Sequence, residues 1–442
     1  MKVYIETLGC PKNFNDSQVA AGLLEKGGHK ITKDIKEADA VMLNTCGFIN
    51  DAKKESIERI LELAELREEG KTLIVSGCLT ERYAEELYKE MPEIDILLGV
   101  NDYAKLPQLL SSREAKTSRV KSVSGAPCGF ESDVYRKIED HPYTATLKIA
   151  EGCDNRCTYC IIPAIRGKYR SKKMEDVLRE AAELAKRGTK EIILIAQDVT
   201  YYGMDLYGEP KLAALLKRIC EIDGIKWVRL MYCYEDRITD ELIEVMKTQP
   251  KVCHYIDIPI QHASDKILAA MKRRSTSITI RETIGKLRRA MPDLHIRTTL
   301  ITGFPGEKQA EFEELYRFVE EMRFERLGVF AYSKEEGTEA AEMHPQVRND
   351  VKVRRAEKIM ARQVEISLAS NRAKIGKVLE TIVEEADEDG SFIGRTRYDA
   401  PEIDNSVIFT SDAALSPGDI VNVEIIDAFD YDLVGIHRKE KI

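Results

Sequence analysis

Six apolar runs, separated by stretches of helical spacing, dominate the middle of this 442-residue chain and leave few folds open to it. The strand candidates are 144–150, 191–196, 227–231, 255–258, 295–301 and 326–331. Between them, 174–187, 239–247, 280–291 and 307–322 repeat apolar residues three and four apart, as one buried helix face requires. Strands that alternate with helices become parallel neighbours, because only a crossover connection returns the chain to the same edge. Six such units in a row predict a partial or full α/β barrel, with reactive groups at the carboxyl ends of its strands.

The ends of the chain follow other patterns. Residues 1 to about 110 alternate strand candidates (3–8, 40–43, 73–75, 94–98) with helical stretches at 17–26, 51–68 and 80–89, which predicts a separate parallel-sheet α/β domain. A Ser- and charge-rich segment with Gly125-Ala126-Pro127 reads as a linker. From about Ala373, short runs with turn signals such as Asp389-Gly390 and Ser416-Pro417-Gly418 predict a small β-barrel or sandwich. The divisions are 1–111 for the first domain, 112–140 for the linker, 141–370 for the central barrel and 371–442 for the small one.

Cys153, Cys157 and Cys160 lie on one loop directly after the first barrel strand. Thiolates are soft ligands suited to iron–sulfur clusters, and a four-iron cluster ordinarily takes four of them. Three leave one iron open, where the amino and carboxylate groups of S-adenosylmethionine can chelate. Electron transfer into the sulfonium then yields a 5′-deoxyadenosyl radical. Zinc is the competing reading, but no second ligand pair lies nearby. Chance clustering of core thiols fits poorly with the polar neighbours Asp154, Asn155 and Arg156.

Three more cysteines, Cys10, Cys46 and Cys78, each follow a strand of the first domain and each have a glycine beside them. The carboxyl ends of parallel strands lie together, so these thiols are expected to converge on a second cluster with an open iron. Buried structural thiols are the alternative. Cys128, Cys220, Cys233 and Cys253 share no such pattern and are read as inert.

The Cys-x3-Cys-x2-Cys spacing, with Tyr159 before its last cysteine, resembles the radical S-adenosylmethionine superfamily. With the three strand-end cysteines and the small terminal barrel, nearly the whole chain resembles the methylthiotransferases. That resemblance implies a partial (βα)6 barrel and a TRAM domain as the small antiparallel β-barrel. It also implies two 4Fe-4S clusters and two molecules of S-adenosylmethionine, one for the radical and one for the methyl group. Tyr159 is then expected over the adenine, unless it is a packing aromatic, and Gly303 in Thr302-Gly303-Phe304-Pro305-Gly306-Glu307 along the nucleoside, unless it is a plain turn. Gln197 and Asp198 are placed to meet the methionine or ribose, with helix capping the alternative for Asp198. Gln261 and His262 point the same way, though His262 could equally be structural. No catalytic residue beyond the cluster ligands is assigned.

Strings such as Leu8-Gly9-Cys10-Pro11-Lys12-Asn13 and Ala400-Pro401-Glu402-Ile403-Asp404 resemble the branch that methylthiolates the β-carbon of an aspartate in the twelfth protein of the small ribosomal subunit. The sibling branch acts on a transfer RNA adenosine. Charge separates the two. Residues 371–442 hold 8 Lys or Arg against 16 Asp or Glu, so nearly all of the chain's net −9 sits in the small barrel. Such a surface repels phosphates and attracts a basic protein; the alternative is an acidic face that only keeps the protein soluble. An electron or cluster carrier, the reading from another class, has no use for a large barrel with an open-iron triad. The remaining expectations are an electron donor such as flavodoxin, a monomer, no membrane segment and a cytoplasmic location.

Overall fold

The computed structural model describes the chain except for residues 68, 113–118, 126–135, 139–141, 388–389 and 439–442. Cys128 therefore lies outside the described residues. In the first sheet, six parallel strands run in the order Lys30–Thr32, Lys2–Thr7, Ala40–Thr45, Thr72–Gly77, Ile96–Leu98 and Val120–Ser122. Ala40–Thr45 and Thr72–Gly77 are buried along their whole length, because apolar clusters cover both faces of the sheet. Two of the six strands were not expected. Lys30–Thr32 is an edge strand, and Val120–Ser122 lies inside the segment read as a linker, where it pairs with Ile96–Leu98. The linker reading is corrected there: three residues suffice to extend a sheet edge, too few for a periodic signal.

The central sheet is also parallel and takes its strands in chain order: Thr144–Lys148, Glu191–Ile195, Trp227–Leu230, Val252–Asp257, His295–Thr302 and Arg326–Ala331. It stays open, with Thr144–Lys148 and Arg326–Ala331 as its two edges. A 24-residue helix, Asn349–Arg372, packs on Arg326–Ala331 and carries the chain onward. Val378–Ala386, Ser391–Thr396, Val407–Thr410, Leu433–His437 and Ile420–Ala428 then close a five-stranded barrel. This barrel departs from a purely antiparallel design, because Val407–Thr410 and Leu433–His437 pair in parallel.

The small barrel docks against the amino ends of the central strands. Glu191, Trp227 and Arg326, each the first residue of its strand, bond to Arg395, Glu380 and Asp399 respectively. The first domain contacts the opposite end, where the central strands finish.

Candidate functional site

At the carboxyl edge of the first sheet, Cys10 caps helix Pro11–Lys26, Cys46 follows Ala40–Thr45, and Cys78 opens helix Cys78–Arg82. Asn13 ties the three loops together. Its amide donates to the carbonyls of Leu8 (2.9 Å) and Thr45 (3.0 Å), and its Oδ1 lies 3.8 Å from Cys78 Sγ. The glycines beside these cysteines serve the loops themselves. Gly77 has φ +101, and a Cβ there would stand 2.4 Å from Asn44 Oδ1 and from the Thr45 carbonyl. A Cβ on Gly9 would meet the Cys46 Cβ at 2.8 Å. What these glycines make room for is the neighbouring loop.

The second triad sits on a loop pinned along its length. The Cys153 amide donates to the Gly167 carbonyl (3.1 Å), Asp154 accepts from the Tyr169 amide (3.0 Å), and Thr158 Oγ1 donates to the Ala270 carbonyl (2.9 Å). Asn155 donates to Asp198 (3.0 Å), which also takes Thr200 (2.5 Å) and Arg237. Asp198 thus anchors the cysteine loop, and its side chain makes no capping bond to the short turn after it. Beside Cys157 a cavity of about 210 Å³ opens, with Asn155, Tyr234 and Arg273 in its walls.

Both triads have the donor chemistry of a cluster site. Burial pushes the Cys46 thiol up to about 12 and the Cys153 thiol up to about 11, and it raises Cys78 and Cys160 as well. Bare thiolates would be unstable in such surroundings, whereas a metal deprotonates a coordinating thiol outright. Among the described residues, no three His, Cys, Asp or Glu side chains come close enough to share one metal ion. A cubane cluster does not need them to, since each thiolate binds its own iron. Cys220, Cys233 and Cys253 are buried in the apolar cores.

Gln197 donates to Glu151 (2.7 Å), while its Oε1 is buried without a partner among the described residues. Tyr159 packs with Phe304, Tyr332 and Met271 in one apolar cluster. Gly303 has φ +72, and its amide donates to Glu307 (2.8 Å). A Cβ there would collide with the Lys352 side chain at 2.1 Å, so helix packing alone demands this glycine. Gln261 donates weakly to the Pro259 carbonyl (3.3 Å). His262 is fully buried, accepts at Nδ1 from the Ser264 amide (3.0 Å), and turns Nε2 toward Glu307 at 3.4 Å, as a structural histidine does.

A set of charged residues between the two triads escaped the sequence reading. Arg166 bonds to Asp16 (2.7 Å) and Asn13 (2.9 Å) and reaches Cys78 Sγ (3.2 Å), while Lys148 joins Asp16 (2.5 Å) to Glu151 (2.7 Å). Lys12 lies 3.3 Å over the ring of Tyr232, at the end of the third central strand. The one signal available was Asn13 and Asp16 at helical spacing after Cys10.

Three family models match in chain order: the uncharacterized protein family UPF0004 over residues 2–99, the radical SAM superfamily over 147–319, and the TRAM domain over 375–437. Among solved structures, the radical S-adenosylmethionine methyltransferase TsrM from Kitasatospora setae, with cobalamin and a [4Fe-4S] cluster bound, aligns with a TM-score of 0.54. The alignment covers 75% of this chain and 74% of that one at 14% identity, a likeness of fold alone. Curated relatives are far nearer. A protein of Acetivibrio thermocellus named ribosomal protein uS12 methylthiotransferase RimO is 48% identical over 98% of both chains. One of the same name from a Thermoanaerobacter species is 49% identical, over 98% of this chain and 99% of its own. With two triads at adjoining strand ends and identity near one half along its length, the chain belongs to the radical S-adenosylmethionine methylthiotransferase family, in the branch whose members are named ribosomal protein uS12 methylthiotransferase RimO.

Proposed function

We propose that this chain replaces a hydrogen on the β-carbon of an aspartate in ribosomal protein uS12 with a methylthio group, in line with the name its relatives carry. The observation that carries the reading is that Arg166, on the helix that follows Cys160, stands 3.2 Å from Cys78 Sγ, so the loops bearing the two cysteine triads adjoin. Cys153, Cys157 and Cys160 hold one four-iron cluster, and Cys10, Cys46 and Cys78 hold a second. When bound, a cluster with one open iron and S-adenosylmethionine supply a 5′-deoxyadenosyl radical, the species able to take hydrogen from an unactivated carbon.

The chain's own residues orient the ligands. The unpartnered Gln197 Oε1 is an acceptor for the amino group of the methionine moiety. Tyr159 and Phe304 give an aromatic wall for the adenine, with Gly303 in the loop alongside. Asp198 is taken up by Asn155, Thr200 and Arg237 and acts on the cysteine loop instead.

The small barrel favours a protein over an RNA substrate. Of its cations, Arg395 is buried on Glu191, Lys374 is buried, and Arg397 donates to the Pro250 and Val252 carbonyls. The outward surface is thus more acidic than the composition alone implies, and it suits a basic ribosomal protein. The enzyme acts as a cytoplasmic monomer supplied by a small electron carrier of the flavodoxin kind; no described helix is long and apolar enough to cross a membrane.

The test is anaerobic incubation of the reconstituted enzyme with S-adenosylmethionine, sulfide, a reductant and either uS12 or bulk transfer RNA. Mass spectrometry should find a methylthio group on an aspartate of the protein. Its appearance on the RNA alone would refute the substrate assignment and keep the radical chemistry.

A further inference from the structure

Arg166 joins the two candidate cluster sites through a single side chain. It ends the helix Ile162–Arg166, which starts two residues after Cys160, so the backbone ties it closely to the second triad. Its guanidinium nevertheless belongs to the first domain. Nη2 stands 3.2 Å from Cys78 Sγ and 2.9 Å from Asn13 Oδ1, while Nη1 stands 2.7 Å from Asp16 Oδ2 and 3.4 Å from Glu151 Oε2. The residue is only 3% exposed.

Charge balance shows why the contact with sulfur matters. Asp16 and Glu151 are matched by Lys148 and Arg166, with Lys148 touching both carboxylates. This set is neutral without any help from sulfur. A guanidinium N–H gains little from a neutral thiol, which is a weak acceptor, and much more from an anionic one. A guanidinium that stabilises domain docking alone would have no need to spend a nitrogen on Cys78.

We propose that Arg166 is a positioning residue for the first-domain cluster: it donates a hydrogen bond to the Cys78 ligand sulfur, raises that cluster's reduction potential, and fixes its place relative to the radical-generating triad. The inference rests on the reading of Cys10, Cys46 and Cys78 as cluster ligands. Hydrogen bonds to ligand sulfurs and nearby positive charge both favour the reduced, more negative state of a cluster.

The full-length protein carrying Cys153→Ala, Cys157→Ala and Cys160→Ala isolates the first site. Iron analysis after anaerobic reconstitution reports loading, and a redox titration followed by electron paramagnetic resonance reports the midpoint potential. Adding Arg166→Gln should shift the midpoint to more negative values, and Arg166→Lys should restore part of that shift. Asp16→Asn, which removes the counter-charge of Arg166 without touching sulfur, should shift it the other way. Failure of the three-alanine protein to bind iron would overturn the two-cluster reading and this inference with it. With iron bound, an unmoved midpoint in Arg166→Gln overturns the inference alone and leaves Arg166 a domain staple. Should Arg166→Gln fail to load, Arg166→Lys and Asp16→Asn decide: unmoved midpoints in both refute it.

Discussion

Replacing Glu191 with glutamine should loosen the small barrel from the central one, and the structure gives the size of the effect. Glu191 and Arg229 are fully buried, and Arg395 is 2% exposed. The carboxylate takes Arg229 Nε at 2.8 Å on one oxygen and Arg395 Nη2 at 2.5 Å on the other. Burial opposes its ionisation, but Arg395 and Arg229 outweigh burial and hold the carboxyl below its ordinary range. Glutamine keeps the shape and removes the charge. Arg395 retains Glu384 (3.0 Å), but Arg229 is left with the Arg397 carbonyl (3.1 Å) and the face of Tyr255. Breaking a buried ion pair from one side costs about 3–5 kcal/mol. At about 1.4 kcal/mol per factor of ten, the opening equilibrium should rise by roughly two to three and a half powers of ten. Hydrogen exchange followed by mass spectrometry on peptides covering Val378–Ala386 and Ser391–Thr396 reads that change directly. Glu385→Gln, at an exposed position of the same strand, serves as the control and should stay within about 0.5 kcal/mol, or roughly twofold. A loss of protection below tenfold in Glu191→Gln would show that water reaches the two guanidiniums, and the reasoning from burial would fail.

Three further outcomes are expected. Asp399 is held down to about 2, because Arg326 and Lys374 outweigh its burial, so the stability it contributes is complete above the ordinary carboxylate range and lost as the pH falls from about 4 toward 2. The single tryptophan, Trp227, bonds to Glu380 of the small barrel, so its fluorescence should report undocking across that window; in Asp399→Asn the slope should shrink to the part that Glu191, also held below the ordinary range, contributes. Gly77→Ala forces a Cβ onto Asn44 and the Thr45 carbonyl at roughly 1–3 kcal/mol of strain, and should leave about half the wild-type iron, all at Cys153, Cys157 and Cys160. Gln197→Ala removes the buried Oε1 proposed to accept from the methionine moiety, a bond worth about 0.5–1.5 kcal/mol, and should raise the KM for S-adenosylmethionine roughly two- to tenfold; an unchanged KM would remove Gln197 from that site.

How much of this was legible depended on what each element buries. The six central strands lie close to where their apolar runs placed them, because a parallel sheet is covered on both faces and its sequence shows that as continuous hydrophobicity. Cys10, Cys46, Cys78 and the Cys153 loop follow strands as the sequence placed them, since a strand end in a parallel sheet is a place in space as well as in sequence. Asn349–Arg372 was not. Its inward stripe is Lys352, Arg355, Ile359, Gln363, Ile366, Ser367 and Asn371, correctly spaced for a helix face but mostly polar, so no hydrophobic period marks it. Those polar groups are satisfied by partners distant in sequence, such as Glu307 for Arg355 and the Phe324 carbonyl for Gln363. Arg166 was hidden for the same reason. On paper it is a basic residue closing a short helix before Gly167, and only its partners Asp16 and Cys78, at least 88 residues away, give it meaning.

The two domain junctions share a chemistry that bears on the reaction. Toward the first domain, Glu335 takes Lys53 (2.8 Å) and Arg82 (2.9 Å), and Asp16 takes Arg166 and Lys148. Toward the small barrel, Glu191 takes Arg395, Arg326 takes Asp399, and Tyr255 donates to Asp404 (2.6 Å). Apolar residues of similar volume would hold such junctions at least as firmly, so stability is not a sufficient reason for buried charge. Direction is a better one. Apolar surfaces tolerate a small slide, whereas a guanidinium gripping a carboxylate across a junction loses its hydrogen bonds as soon as either side moves. The sulfur transfer proposed above, from a site on Cys10, Cys46 and Cys78 to a carbon activated beside Cys153, Cys157 and Cys160, would need the two sites held in fixed register, since small displacements of reacting groups cost large factors in rate. The central barrel therefore carries its ionic contacts at both ends: one set ties the loops of the two triads to each other, and the other fixes the acidic barrel, the surface proposed to receive a basic substrate, to the same frame.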